Sequence, residues 1–216
     1  MEKREHIVIL AAGDFPTHEV PLQALHDADF VVCCDSAYIR WKELQEEKPF
    51  IVIGDGDSLT EEAKQQLGSR YIRVEEQDYN DLHKAMVWAT SKFNIQHSTF
   101  SIIGATGRRE DHTLGNISYL TTFASEYPGA DIEMLTDYGR FVYFNGRHTY
   151  SSFPRQQVSI FSLRPDVPVT TTGLRWTLQG NCLTVWWQGT LNEALGNSFT
   201  VDGGPGVIFQ TYNAKD

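Results

Sequence analysis

Basic residues are scarce in this chain. It has 18 Lys and Arg against 28 Asp and Glu, which gives a formal net charge of −10, and no run rich in Lys or Arg stands out. A protein that holds nucleic acid by its phosphates needs a basic stripe on its surface. We therefore expect no nucleic-acid partner.

Cysteine is also scarce, and common cysteine and histidine motifs are absent. Of the three cysteines, Cys33 and Cys34 are adjacent at the end of an apolar run, where buried thiols are more common than disulfides. The sequence contains no Cys-x-x-Cys, no His-Glu-x-x-His and no Gly-x-Ser-x-Gly. Zinc sites and hydrolase triads of these kinds have no support.

No long hydrophobic run is present. The charged segment Met1–Glu5 leads into an apolar stretch that is far too short to cross a bilayer and lacks the form of a signal peptide. We expect a cytoplasmic protein with no membrane partner.

The apolar residues that are present follow two different rhythms. Up to about residue 140, short and nearly continuous apolar runs alternate with helical patterns, which is typical of strands buried on both faces of a parallel sheet. The runs are Ile7–Ala11, Phe30–Cys34, Phe50–Ile53, Tyr71–Val74, Phe100–Ile103 and Ile132–Leu135. The helical stripes are Leu82, Ala85, Met86, Ala89 and Phe93, then Leu114, Ile117, Leu120, Thr121 and Ala124. We predict an α/β domain over residues 1–140, with a doubly wound, mostly parallel sheet and helices on both faces.

After about residue 140 the helical patterns stop. Short β-type runs follow, separated by Gly, Pro, Asn and Asp, and they are Phe141–Phe144, Val158–Phe161, Leu183–Trp187 and Val207–Phe209. The alternation of Leu174, Trp176 and Leu178 favours one face of a further strand. We predict a small all-β domain over residues 141–216, a sandwich or an open barrel.

Aspartates cluster near the ends of the predicted strands. They are Asp35, Asp55, Asp57, Asp81 and Asp111. Ligands of doubly wound sheets bind outside the carboxyl ends of the strands, so these separate segments are expected to meet at one crevice. Converging carboxylates repel one another unless a cation lies among them, and oxygen ligands suit magnesium shared with phosphates. The sequence therefore predicts magnesium-dependent phosphoryl-group chemistry.

Simpler interpretations of single aspartates stay open. Asp55 and Asp57 fit an ordinary solvated Gly-Asp turn, although in an extended segment both carboxylates would project to one side and reach one cation. Asp81 fits the N-cap or first turn of a helix, where a carboxylate is favoured without any metal.

A glycine-bearing turn predicts an anion site. Gly104-Ala105-Thr106-Gly107 lies between a predicted strand and a helix, where backbone N–H groups suit an anion. It lacks the Gly-Lys-Ser/Thr ending of a Walker A loop. Arg108 or Arg109 could hold a phosphate bidentately, and the alternative for either arginine is an ordinary surface residue.

Taken in order, these motifs resemble those of the thiamine pyrophosphokinases. The matching segments are Gly54-Asp55-Gly56-Asp57-Ser58, Gln77-Asp78-Tyr79-Asn80-Asp81 with Lys84-Ala85, Gly104 to His112, Thr172-Gly173-Leu174-Arg175-Trp176 and Gly196-Asn197. Departures from the family pattern occur at Ser36-Ala37, Asn80, Arg108 to Glu110 and Gly196. The family transfers the pyrophosphoryl group of ATP to the hydroxyl of thiamine, giving thiamine diphosphate and AMP. It has an α/β domain followed by a β-sandwich.

The resemblance implies a role for each motif. It assigns Asp55, Asp57 and Asp81 to magnesium and, together with Arg109, to catalysis. It implies ATP binding by Asp35, Gln77, Asn80, Gly104, Thr106, Arg109 and Asp111, and thiamine binding by Trp176 and Asn197. It also implies a homodimer with sites at the subunit interface. Two other functions stay open, a magnesium-dependent nucleotide pyrophosphohydrolase and a non-catalytic thiamine- or nucleotide-binding regulator.

Overall fold

The computed structural model describes residues 4–214, and the chain divides into two compact units after Asp137. The first unit alternates strand and helix. Its elements are β1 (Glu5–Leu10), α1 (Glu19–Asp27), β2 (Phe30–Cys34), α2 (Ala37–Glu43), β3 (Phe50–Gly54), α3 (Glu61–Leu67), β4 (Tyr71–Arg73), α4 (Asp81–Lys92), β5 (Ser98–Ile103), α5 (Glu110–Glu126) and β6 (Asp131–Leu135). The strands lie in the order β6-β5-β1-β2-β3-β4, and each neighbouring pair is parallel. The predicted parallel α/β sheet is confirmed.

Both faces of this sheet are covered. On one face, Val8 of β1 and Val31 of β2 pack in a cluster with Leu25 of α1 and Trp41 of α2. Successive strand residues point to opposite faces, so Ile9 of β1 points to the face opposite that of Val8. Ile9 is also fully buried, and α4 packs along β1, β2 and β3. The apolar runs are nearly continuous because both of their faces are buried.

The two predicted helical stripes differ in outcome. Helix α4 buries Leu82, Ala85, Met86 and Ala89 as predicted. The stripe on α5 is partly wrong, because Leu120 is buried whereas Leu114 is 53% exposed. At 3.6 residues per turn, two residues six positions apart differ by roughly 120° around the helix, so both cannot face the sheet.

No helix within residues 4–214 is both long enough and apolar enough to cross a bilayer.

The second unit consists of antiparallel strands in two layers. They are β7 (Gly139–Phe144), β8 (His148–Ser151), β9 (Gln156–Ser162), β10 (Pro168–Thr172), β11 (Gln179–Cys182), β12 (Asn192–Glu193), β13 (Ser198–Asp202) and β14 (Gly206–Ala214). One layer has the order β12-β9-β14-β7 and the other β11-β10-β13-β8. Ile160 and Ile208 of the first layer share a core with Val169 and Phe199 of the second. The predicted β-sandwich is confirmed.

The segment Leu183–Trp187, predicted as a strand, is not one. It leads into a short 3-10 helix at Trp186–Gly189, and Trp187 is 72% exposed. The side-chain oxygen of Gln188 accepts the backbone N–H groups of Thr184 and Val185 at 2.8 and 3.2 Å. A side chain that captures backbone donors in this way competes with sheet pairing.

The adjacent cysteines behave as predicted. Cys33 and Cys34 are buried free thiols at the end of β2. Burial raises the pKa of both thiols, so they stay protonated and act as small apolar side chains.

Candidate active site

The strand order creates a crevice at the carboxyl edge of the parallel sheet. The chain leaves β1 for β2 on one side and later returns to β5 on the other side, and such switch points are where ligands bind in doubly wound sheets. A cavity of about 400 Å³ lies there. It is lined by Ala11, Ala12, Gly13, Cys34, Asp35, Ser36, Ser58, Asn80, Asp81, Leu82, Ala105, Gly107, Arg108, Arg109, His112 and Asn116.

The cavity brings together part of the predicted site. The predicted residues that line it are Asp35, Asn80, Asp81 and Arg109. The predicted residues on neighbouring segments that do not line it are Asp55, Asp57, Gln77, Gly104, Thr106 and Asp111. Trp176 and Asn197 belong to the second unit.

Asp35 is a buried carboxylate with an unpaired oxygen. It follows β2 with a positive φ of 38°, a conformation that Asp tolerates better than most residues. The side chain is nearly inaccessible, and Oδ2 accepts the backbone N–H of Ser58 at 3.2 Å. Oδ1 is buried and has no hydrogen-bond partner among the described residues. Leaving such an oxygen unpaired is costly, so this side of the cavity suits a cation or a donor group.

Asp81 faces a buried lysine. It is the first residue of α4, and the N-cap is Asn80, whose Oδ1 accepts the backbone N–H of His83 at 3.1 Å. Nζ of Lys84 lies 3.3 Å from Oδ1 of Asp81, and the Lys84 side chain is only 5% exposed. Burial raises the pKa of Asp81, the charges of Asp35 and Asp55 add to that rise, and Lys84 opposes it. The lysine therefore balances only part of the negative charge.

The glycine before Asp55 lets Asp35 and Asp81 approach each other. A Cβ added at Gly54, the last residue of β3, would lie 2.9 Å from Cβ of Asp35 and 3.3 Å from Oδ2 of Asp81. Any larger residue at Gly54 would have to displace one of these carboxylates.

Asp55 and Asp57 do not lie in an extended segment. Gly56 between them has a positive φ of 82°, and Oδ1 of Asp55 accepts the backbone N–H of Asp57 at 3.1 Å, which makes a tight turn. Oδ2 of Asp55 accepts the side-chain amide of Gln77 at 3.2 Å. These two hydrogen bonds lower the pKa of Asp55. The two carboxylates therefore do not alternate along an extended segment, as predicted from their i, i+2 spacing, and Asp57 is exposed.

The donor atoms of this region fit magnesium, but they are not gathered into a complete ligand set. All are carboxylate oxygens, the ligands that magnesium prefers, and Asp35 has a buried oxygen without a partner. Within residues 4–214, however, no group of three or more His, Cys, Asp or Glu side chains is arranged to hold a metal ion. The assignment of Asp55, Asp57 and Asp81 to magnesium stays a prediction.

The glycine-bearing turn lies against the loop that follows β1. Gly104 and Gly107 have positive φ values of 68° and 78°, which glycine adopts without steric cost. The backbone N–H of Gly13 donates to the carbonyl of Gly104 at 2.7 Å, and that of Asp14 donates to the carbonyl of Thr106 at 2.9 Å. Gly104 and Thr106 thus contribute carbonyls to the contact with this loop and do not line the cavity.

The two arginines of the turn are both engaged. Arg109 makes a two-pronged contact with the carboxylate of Asp111, with Nε at 3.0 Å and Nη2 at 2.5 Å. Arg108 donates from Nη1 to the carbonyl of Ala12 at 2.8 Å, and its Nε lies 3.7 Å from Oδ1 of Asp14. The guanidinium of Arg109 therefore already binds a carboxylate through two of its donors, and Arg108 is bonded to the loop that follows β1.

Asn116 links the two sides of the cavity, and the sequence interpretation missed it. Its Nδ2 donates to the carbonyl of Ala105 at 2.8 Å, and its Oδ1 accepts Nδ2 of Asn80 at 3.0 Å. The start of α4 is thereby connected to the glycine-bearing turn. The available signal was the i, i+4 spacing of His112 and Asn116, which puts two polar residues on one face of α5.

Two family models match the chain. One, described as "Thiamin pyrophosphokinase, catalytic domain", matches residues 22–132, and another, "Thiamin pyrophosphokinase, substrate-binding domain", matches residues 139–209. The chain belongs to the thiamin pyrophosphokinase family.

Named relatives in this family align with part of the chain. Thiamine pyrophosphokinase 3 of Oryza sativa subsp. japonica is 29% identical over 150 residues, which cover 63% of this chain and 55% of the rice protein. Thiamine pyrophosphokinase of Bacillus subtilis is 37% identical over 76 residues, covering 33% of this chain and 34% of that protein. The chain thus spans about half the length of the rice relative it matches.

Solved structures of the family share the fold over nearly the whole chain. The crystal structure of thiamine pyrophosphokinase from Bacillus subtilis has a TM-score of 0.77 at 22% identity and covers 97% of this chain and 100% of that one. The yeast thiamin pyrophosphokinase structure has a TM-score of 0.80 at 15% identity and covers 98% and 87%. At these identities the likeness concerns the fold alone.

The part of the chain that matches the family's substrate-binding domain contains Trp176 and Asn197, both exposed. The predicted strand through Trp176 is wrong, since only Leu174 forms an isolated bridge, to Ala194. Asn192 holds the Trp176 backbone instead. Its Oδ1 accepts the Trp176 N–H at 3.1 Å, and its Nδ2 donates to the Trp176 carbonyl at 2.7 Å. The indole is 55% exposed on a backbone that is fixed on both sides.

Replacement of Lys84 by Met should destabilise the protein, because it leaves the half-buried carboxylate of Asp81 without its ammonium partner. Breaking a buried ion pair costs about 3–5 kcal/mol, and the partial exposure of Asp81 should reduce the loss to about 1–3 kcal/mol. The free energy of unfolding from urea denaturation measures it.

Lys64→Met is the matched control for this variant. Lys64 pairs with Glu61 at the same i, i+3 spacing, but Glu61 is 78% exposed. Solvent screens exposed pairs of this kind, so Lys64→Met should leave the free energy of unfolding nearly unchanged. Equal losses in the two variants would contradict the special role assigned to Lys84.

Proposed function

We propose that this protein is a thiamine pyrophosphokinase, which transfers the pyrophosphoryl group of ATP to the hydroxyl of thiamine and releases AMP. The observation that carries the proposal is one cavity lined by the buried carboxylate of Asp35, the half-buried one of Asp81 and a glycine-bearing turn with two arginines. Carboxylates that suit a cation, beside N–H and guanidinium groups that suit phosphates, are what phosphoryl transfer requires. The family match over both units supports thiamine, rather than water, as the acceptor.

In this proposal the turn and the start of α5 bind the ATP phosphates. Backbone N–H groups near a helix start favour an anion. Arg109 releases the carboxylate of Asp111 and binds a phosphate instead, with the same two donors of its guanidinium. Asn80 and Gln77 make supporting polar contacts. Asp111 then serves as the carboxylate that holds Arg109 in place between turnovers.

Magnesium would be held by Asp55, Asp57 and Asp81, with the unpaired oxygen of Asp35 close to Asp81. When bound, magnesium supplies neutralisation of the charge on the phosphate oxygens. Gly54 lets Asp35 and Asp81 approach each other, and Lys84 limits the repulsion of Asp81 by Asp35 and Asp55.

The reaction itself depends mainly on placement. The thiamine hydroxyl attacks the β-phosphorus in line with the bond to the leaving AMP. The new oxygen–phosphorus bond forms as the bond from the β-phosphorus to the oxygen of the α-phosphate breaks, AMP leaves with that oxygen, and the hydroxyl proton is released to solvent. Holding the two substrates in that geometry removes most of the entropic barrier. A cavity of about 400 Å³ suits part of the substrates, with the remainder reaching beyond it.

Thiamine binding is assigned to Trp176 and Asn197 of a partner subunit in a homodimer. An exposed indole on a backbone fixed by Asn192 presents a flat face on which a cationic heterocycle stacks favourably. A cytoplasmic location stays a prediction.

The proposed function is tested by mass spectrometry of products after incubation with ATP, magnesium and thiamine. We expect thiamine diphosphate and AMP in equal amounts, both dependent on thiamine. AMP that forms equally without thiamine would instead indicate hydrolysis, and binding without AMP would indicate a regulator.

Asp55→Asn should lower the rate at least about a hundredfold, the scale of losing one main electrostatic stabiliser. The control is Asp166→Asn, at an exposed carboxylate of the second unit.

The proposed dimer is tested by mixing two impaired variants at a thiamine concentration near the wild-type KM. Trp176→Ala should raise the thiamine KM by about ten- to a hundredfold with a smaller effect on the ATP KM, because one stacked ring is worth about 1–3 kcal/mol. Mixed with Asp55→Asn protein, it should recover part of the activity, since each mixed dimer would hold one intact site. Absence of recovery after verified subunit exchange would place Trp176 outside a shared site.

A further inference from the structure

Asp137 anchors the loop between β1 and α1, and residues 11–13 of this loop line one wall of the cavity. It follows β6, outside the predicted site, and its carboxylate accepts three hydrogen bonds from residues of the β1–α1 loop. Oδ1 accepts the backbone N–H of Thr17 at 2.8 Å and that of His18 at 3.1 Å, and Oδ2 accepts the Thr17 hydroxyl at 2.7 Å. Burial raises the pKa of Asp137, but these hydrogen bonds more than offset the effect and lower it. The Asp137 carboxylate is therefore ionised, and its three charge-assisted hydrogen bonds form a tether to the loop.

The same contact fixes the start of α1. His18 is the N-cap of that helix, and its Nδ1 accepts the backbone N–H of Val20 at 3.2 Å. Asp137 therefore holds the β1–α1 loop, residues 11–18, at its far end, where the loop passes into α1.

At its near end the loop is bonded to the glycine-bearing turn. The N–H groups of Gly13 and Asp14 donate to carbonyls of that turn, and Arg108 of the turn donates back to the Ala12 carbonyl at 2.8 Å. There is no space for a side chain between them, since a Cβ on Gly13 would overlap the carbonyl oxygens of Gly104 and Thr106. In such close backbone contact, a displacement of the loop also displaces the turn.

We propose that Asp137 is a positioning residue for nucleotide binding. It does not line the cavity. It holds residues 11–18, and through them the turn at 104–109, in the place where phosphates are received. The inference rests on the proposed function, in which that turn binds the phosphates of ATP.

The test is calorimetric binding of a hydrolysis-resistant ATP analogue with magnesium to Asp137→Ala, Asp137→Asn and Thr17→Val. Asp137→Ala should weaken binding about tenfold, the factor that corresponds to one net charge-assisted hydrogen bond. Thr17→Val, which removes one of the donors, should weaken it by about threefold on the same scale. Asp137→Asn keeps the Oδ1 acceptor without its charge and should recover part of the affinity.

Amide hydrogen exchange supplies a readout that does not depend on nucleotide. The N–H groups of Gly13 and Asp14 should exchange faster in Asp137→Ala than in wild type, because the loop is released from its tether. Asp166→Ala is the control, since Asp166 also accepts two hydrogen bonds, from Arg164, at the surface of the second unit. It should change neither exchange at these amides nor affinity.

Each failure has a distinct meaning. If wild type does not bind the analogue, the proposed function fails, and exchange at Gly13 and Asp14 still decides whether the tether acts. If the Asp137 variants lose thermal stability but keep wild-type affinity, the residue is merely structural and the inference is overturned. Should Asp137→Ala not fold, unchanged affinity in Thr17→Val would overturn it equally.

Discussion

Unbalanced negative charge at the carboxyl edge of the parallel sheet is the constraint on which the site depends. The fold buries Asp35 with one oxygen that has no hydrogen-bond partner among residues 4–214, and it sets Asp81 beside it across Gly54. The ammonium of Lys84 faces Asp81 alone. Carboxylates held together in a partly buried place repel each other and are poorly solvated. The protein tolerates this because the strands and α4 fix their positions. A cation that prefers oxygen ligands relieves this repulsion when it binds. The relief adds to the free energy of cation binding.

The side of the cavity to which the proposed function assigns the phosphates takes its shape from backbone contacts. The turn at 104–107 holds its shape through positive φ glycines and through hydrogen bonds to the β1–α1 loop. Asn116 connects this turn to Asn80 at the start of α4. The carboxylate side and the phosphate side are therefore linked by side-chain amides. Such a linkage favours a ligand that carries both a cation and phosphates.

Patterning predicted the architecture well because both units obey simple rules. Strands buried on two faces gave continuous apolar runs, and the strand ends indicated where Asp35 and the Gly104 turn would meet. The errors occurred where side chains capture the backbone. Gln188 diverts the donors of Thr184 and Val185 from a sheet, and Asn192 does the same for Trp176.

The same limit applies within the site. Asp55 and Asp57 were expected to project together, but the Asp55 carboxylate accepts the N–H of Asp57 and bends the chain at Gly56. Asn116 matters through Ala105 and Asn80, which lie far from it in sequence. Lys84 pairs with Asp81 only three residues away, but the i, i+3 spacing does not reveal that the lysine is buried. Periodicity reports which face of an element is buried, whereas hydrogen-bond partners depend on how separate elements meet.

The proposed function requires that the site accept phosphates beside these carboxylates only together with a cation. The most direct measurement is the thermal unfolding midpoint with a hydrolysis-resistant ATP analogue, with magnesium or with excess EDTA, at constant ionic strength. With magnesium, the analogue at about a hundred times its Kd should raise the midpoint by about 5–10 °C. With EDTA the rise should nearly vanish, because the unaccompanied phosphates face Asp35 and Asp81. An equal rise in both conditions would contradict the account.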